Sequence, residues 1–212
     1  MKTENIEFIP MTLSAVVNNG ELTRTAVVSN NVTQVIPDIN RQSDPYTIAG
    51  ETLLAYMSLL SPATQPVLVT YNGDLEILPV LSRYIEFDVM HIDFARVIQR
   101  TPWLHKFGPS WQRVYQGLTG KIMDVDVPMC DYIKKVNEAE KLMEVFLAYQ
   151  EQPHSLTIPE LTLWLKKPQK LSTVYFGPHA GKHFDELPAK YIQYLRDMKP
   201  ASIDLQHTLN LI

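Results

Sequence analysis

The chain has one cysteine, Cys130, so no disulfide can form within it and stability must come from a packed core. That thiol is read as a buried structural group. Long apolar runs are also missing. Stretches such as 66–69 and 145–149 fall far short of the ~20 residues a membrane helix needs, so no membrane partner is expected. No apolar segment follows the charged start Met1-Lys2-Thr3-Glu4-Asn5. This argues against a secretory signal and points to a cytoplasmic setting. Positive charge is not in excess: 19 Lys and Arg face 23 Asp and Glu, a net charge of −4. Tight, strongly salt-sensitive binding to nucleic acid is disfavoured by that balance, although a local basic patch is not excluded. The chain lacks a Gly-rich phosphate loop and a Gly-x-Ser-x-Gly turn. His179 and His183, four apart, would suit zinc on a helix, but Gly177, Pro178 and Gly181 argue against a helix there.

What is present is an ordinary globular composition, 45% hydrophobic and 20% charged, with a readable alternation of strands and helices. Residues 6–17 and 22–29 are rich in β-formers and flank Asn18-Asn19-Gly20, a strong hairpin signal. Residues 30–45, polar and carrying Pro37 and Pro45, read as loop. Leu53, Leu54, Met57 and Leu60 mark a helix face over 48–60. A buried strand is expected at 66–71, a turn at Asn72-Gly73-Asp74, a helix over 75–83 interrupted by Pro79, a strand at 87–92 and a helix from 93 to 99. Trp103, Phe107, Trp111 and Tyr115 read as an aromatic cap over the core, with a base-stacking platform as the alternative, and a short helix is expected over 110–118. Residues 132–150 give the clearest helix, with Val136, Ala139, Leu142, Met143 and Phe146 on one face. A short helix at 158–166 carries Trp164. Strands alternating with helices after an antiparallel start imply an α/β fold, a mixed sheet flanked by helices.

Four blocks resemble exonucleases of the DnaQ-like 3′–5′ group, closest in pattern to exodeoxyribonuclease X. Residues 13–22 are similar to the family's second and third strands. Val67-Leu68-Val69-Thr70-Tyr71-Asn72-Gly73-Asp74-Leu75-Glu76 resembles its second motif, with Asn72 matching, Tyr71 in place of His and Glu76 in place of Asp. Residues 87–96 resemble the fifth strand and the helix after it. Phe176, Gly177, Gly181, Lys182, Leu187, Pro188 and Tyr191 keep the pattern of a small C-terminal module.

The resemblance implies a ribonuclease H-like mixed sheet over 1–150, a linker with a short helix over 151–172 and a module over 173–212. With the hairpin taken as strands two and three, the central first strand is shortened or lost, which opens the possibility of a homodimer that supplies it. Family members hold two divalent ions with four carboxylates. Here the resemblance offers only Glu4, Glu76 and Glu138, none of them Asp. The last motif's His and Asp fall on Ile133 and Glu138, or in the neighbouring register on Tyr132 and Asn137. Neither register supplies a histidine.

Loss of hydrolysis is therefore expected, with no cofactor, or Mg²⁺ or Mn²⁺ if activity persists. Single-stranded nucleic acid or DNA ends are the expected partners, contacted by Tyr71, Asn72, Lys182 and His183. Two alternatives remain: a divergent metal-dependent exonuclease, and a protein-interaction module without a nucleic-acid role. In the module, Phe176, Leu187, Tyr191 and Leu195 read as core; Tyr191 and Tyr194 could also stack on bases.

Overall fold

A computed structural model describes residues 7–18, 21–29, 32–36, 64–81, 90–108, 110–123, 131–198 and 202–212. The expected helix over 48–60, Glu4 and Cys130 lie outside the described residues.

Five strands form one mixed sheet in the order β3-β2-β1-β4-β5. β1 (Glu7–Asn18), β2 (Glu21–Ser29) and β3 (Val32–Ile36) make an antiparallel meander. β4 (Thr64–Thr70) lies parallel to β1, and β5 (Met90–Asp93) parallel to β4. The first strand of the hairpin is therefore itself central and 12 residues long: Glu7–Thr12 pair with β4 and Thr12–Asn18 with β2. The expectation of a shortened or missing first strand is corrected, and with it goes the structural motive for a dimer. The third antiparallel strand comes from the segment read as loop. Asn30 and Asn31 hid it, yet Val32, Val35 and Ile36 are ordinary β-formers.

Two four-residue helices follow β4: α1 (Gly73–Glu76) and α2 (Leu78–Leu81). Pro79 cannot donate to a continuing helix but is tolerated in a first turn, which fits the break at Ile77. α3 (Phe94–Arg100) leaves β5 directly. A 3-10 segment, Pro102–Phe107, leads to α4 (Trp111–Thr119), which ends on Gly120 in the left-handed region at φ 71°. α5 (Asp131–Gln150) is the longest helix described. Its residues Ala139, Leu142, Met143 and Phe146 are buried, the face that the spacing marks. α6 (Ile158–Leu165), α7 (Ala189–Asp197) and α8 (Ile203–Asn210) complete the chain. Among the described residues no helix is long and apolar enough to cross a membrane.

The larger core lies between the sheet and α3–α6, where Phe94 meets Phe146 and Tyr149 edge to face with ring centroids 6.2 and 5.9 Å apart. Trp103, Phe107 and Trp111 pack on it half-buried, as the cap reading expects. A second core of Leu171, Val174, Phe184, Leu187, Leu195, Leu205 and Leu209 belongs to the C-terminal segment. Leu187 and Leu195 are buried there, and Phe176 and Tyr191 pack against them.

All seven residues of α3 are buried, including Arg96 and Arg100. Two arginines in that position require partners. Asp204 on α8, with no exposed side-chain surface, accepts from Arg100 Nε at 2.7 Å and Nη2 at 2.6 Å, and from Arg96 Nε at 3.4 Å. Arg100 also donates to the carbonyls of Trp164 and Lys167. Gln169 N–H donates to Asp204 at 2.9 Å, and Ser202 to Gln99 at 2.8 Å. A buried, fully partnered charge cluster thus joins the second core to the first.

Candidate nucleic-acid cleft

The site begins with the sequence Thr70-Tyr71-Asn72-Gly73-Asp74 at the end of β4. Asn72 turns the chain in the left-handed region at φ 56°, a conformation asparagine tolerates. Gly73 follows because the turn folds back on its strand: a Cβ there would lie 1.9 Å from Thr70 Oγ1. Asp93, 3% exposed, holds the turn from beneath. Its carboxylate accepts from the backbone N–H groups of Asn72 at 3.0 Å, Asp74 at 3.1 Å and Ala95 at 3.0 Å, the last as N-cap of α3. Burial first, and the Asp74 charge second, push the Asp93 carboxyl up to about 6 against the pull of those N–H groups. Burial would raise Asp74 too, but His91 and Arg96 outweigh it and hold that carboxyl below its usual range.

The register Thr12–Val69 between β1 and β4 brings Ser14 level with Tyr71, just past the end of β4. The β1–β2 ladder slips between Ser14 and Val16, an irregularity beside the cleft that Ala15 helps to line. From the other side α5 closes over β1. Thr12 Oγ1 donates to the Ala139 carbonyl at 2.8 Å, and Ser14 Oγ to Glu138 Oε2 at 2.9 Å. Lys135 Nζ lies 2.5 Å from the same Glu138 oxygen. The result is a cleft of about 190 Å³ whose walls include Ser14, Tyr71, Asn72, Trp111, Lys135 and Glu138. Tyr71 and Trp111 form its aromatic side, ring centroids 5.6 Å apart and tilted by 36°. Burial, then the Asp93 charge, push the Tyr71 hydroxyl up to about 12, so it stays a neutral hydroxyl.

Three of the sequence-predicted residues therefore meet: Tyr71, Asn72 and Glu138. Glu4 lies outside the described residues, and of Glu76 only the backbone, at the end of α1, is described. Lys182 and His183 do not line the cleft; they are exposed on the C-terminal module, where His183 bridges Thr173. Ser14 and Lys135 were missed because the contact that joins Ser14 to Glu138 spans more than a hundred residues, whereas Trp111 belongs to the aromatic group that could also serve as a base-stacking platform. Only the spacing Lys135-x-x-Glu138, which puts both on one helix face, was open to view.

The family resemblance implies two divalent ions. The described donors do not fit them: the cleft offers one carboxylate, already paired with an ammonium, beside a hydroxyl and an amide. Among the described residues no group of three or more His, Cys, Asp or Glu could hold a metal ion.

A larger hollow of about 510 Å³ lies behind the turn, between β5, α3, α6 and α8. Its floor carries Asp74, His91 and Arg96. His91 uses both ring nitrogens, one with Thr70 Oγ1 at 2.8 Å and one with Asp74 at 3.1 Å, and Arg96 binds Asp74 and Asp204. Those groups are committed to one another, so this hollow is a structural joint. No protein-family model, curated protein or solved structure matches the chain.

Proposed function

We propose that the chain is a nucleic-acid-binding protein on the ribonuclease H-like scaffold of a DnaQ-like 3′–5′ exonuclease, with hydrolysis lost. The observation that carries this reading is the make-up of the cleft beyond β1 and β4. The order β3-β2-β1-β4-β5, with β4 and β5 parallel to β1, is the order such folds share. In the family an Asp-x-Glu pair stands on the central first strand. On β1 that spacing falls on Thr12 and Ser14, whose hydroxyls meet α5 at Ala139 and Glu138. On this reading, which takes β1 rather than Glu4 for that motif, two hydroxyls replace its carboxylates and Glu138 is the one carboxylate among the described lining. Lys135 supplies one fixed positive charge beside the remaining carboxylate.

A cleft with an aromatic side, an amide and a balanced ion pair suits the end of a single strand held by stacking and hydrogen bonds. It is open at the C-terminal ends of parallel strands, where α/β sheets commonly bind ligands.

The test is binding and digestion of end-labelled single-stranded DNA at low salt, with Mg²⁺ or Mn²⁺ and again in chelator. Binding without shortening, equal in both conditions and weakened about tenfold or more by Lys135→Ala, is expected. Metal-dependent shortening would establish a divergent exonuclease instead. No binding at low salt would leave a protein-interaction module as the better reading.

A further inference from the structure

The C-terminal module carries a ring stack that is anchored on its core at one end and lies outside the cleft. Tyr191 and Tyr194, one turn apart on α7, lie with centroids 5.7 Å apart and planes within 28° of parallel. His179 sits on Tyr191 at 4.4 Å. Tyr191 is anchored from below: it packs against the module's core, and its hydroxyl is tucked under Gly177, where a Cβ would come within 2.7 Å. Gly177 stands at φ 72°, so the turn over Tyr191 is built around a residue without a side chain. Tyr194, by contrast, is 56% exposed.

Two side-chain polar atoms among the described residues are buried without a hydrogen-bond partner, His179 Nδ1 and Tyr191 Oη, and both belong to this stack. The rings are thus not placed for the hydrogen bonds their polar atoms could make, and unmet groups of this kind in a native fold call for another reason. What the stack does present is one flat, pre-ordered aromatic face. Two exposed lysines flank it. Lys190, four residues before Tyr194 on the same helix, is exposed, and Lys182, next to the second left-handed glycine Gly181, is exposed beside the turn that holds His179. Neither makes an ion pair with a described residue. The neighbouring acids are engaged locally: Glu186 accepts from the His183 N–H at 3.3 Å, and Asp197 from Gln193 at 3.0 Å.

From this we infer that the His179–Tyr191–Tyr194 stack is a second nucleic-acid contact, on which one base of a single strand stacks against Tyr194 while Lys182 and Lys190 meet its phosphates. The inference rests on the nucleic-acid reading above for the identity of the ligand. An exposed ring stacked on an anchored one loses little freedom on binding, and every base offers a face to it, so the contact is indifferent to sequence.

The experiment uses the full chain and a single-stranded DNA oligonucleotide containing 2-aminopurine, whose fluorescence is quenched on stacking, titrated at low salt. Four proteins are compared: wild type, Tyr194→Ala, Tyr194→Trp and the cleft variant Lys135→Ala. Tyr194→Ala is expected to weaken binding about 5- to 100-fold and to abolish the quench, with its melting curve unchanged, while Tyr194→Trp restores both. Wild-type binding that Lys135→Ala weakens but Tyr194→Ala leaves unchanged would overturn the second contact and spare the cleft. Quenching lost in Tyr194→Ala but kept in Lys135→Ala would support the stack and count against the cleft. A wild type that binds no oligonucleotide would overturn both.

Discussion

At the scale of single residues, the turn after β4 shows how a few side chains set the candidate site. Gly73 is fixed by the Thr70 hydroxyl rather than by its own torsion angles. Gly73→Ala should lower stability by roughly 1–3 kcal/mol through overpacking, read from urea unfolding midpoints. Asp93 is a carboxylate whose burial outweighs its three hydrogen bonds, so its folded pKa lies above the unfolded value near 4. In that case the folded state takes up the proton first. Stability from this group is present below pH 4 and is lost as pH rises through about 6. Urea midpoints should therefore fall between about pH 4 and pH 6, and Asp93→Asn should flatten that slope. None of this was legible beforehand. The sequence places Asp93 at the start of a helix, but its grip on Asn72 and Asp74 depends on the pairing of β5 with β4.

At the scale of elements, legibility followed periodicity. The hairpin, β4 and α5 were plain because alternating or helical spacing persists over many residues. β3 was lost between polar residues, and no local pattern says which hairpin strand is central, because that depends on the partner β4 finds. The pairing of α3 with α8 was equally hidden: Arg96 and Arg100 are four apart and look like one solvated face. In the structure they are buried on Asp204. Asp204→Ala should cost about 3–5 kcal/mol, because it strands the buried Arg100 guanidinium, whereas Arg96 keeps Asp74 at 2.7 Å. Burial works against the Asp204 charge, but Arg100, Gln169 N–H and Arg96 prevail and hold its pKa below the usual value. Its contribution is thus full above pH 4 and lost as pH falls through the depressed folded pKa. Thermal unfolding from pH 7 down to pH 3 should show wild type converging on the Asp204→Ala variant only at the acid end.

At the scale of the whole molecule, two apolar cores share one charge cluster. All three tryptophans, Trp103, Trp111 and Trp164, pack on the larger core, whereas the module's aromatic residues are tyrosines and phenylalanines. Tryptophan emission therefore reports one core and far-ultraviolet circular dichroism both. The two signals should give coincident urea transitions for wild type, as expected of coupled cores. In Asp204→Ala they should separate, with part of the dichroism lost before tryptophan emission changes. Coincident curves in the variant would mean that apolar contact alone couples the cores.

The same cluster has a consequence during synthesis. Asp204 stands 104 residues beyond Arg100. At roughly 5–20 residues per second a ribosome needs about 5–20 s to cover that distance. Throughout that interval α3 carries Arg100, whose carboxylate does not yet exist, while Arg96 already has Asp74. The nascent sheet therefore cannot seal its last helix until the module emerges, and completion of the fold is timed by translation of its far end.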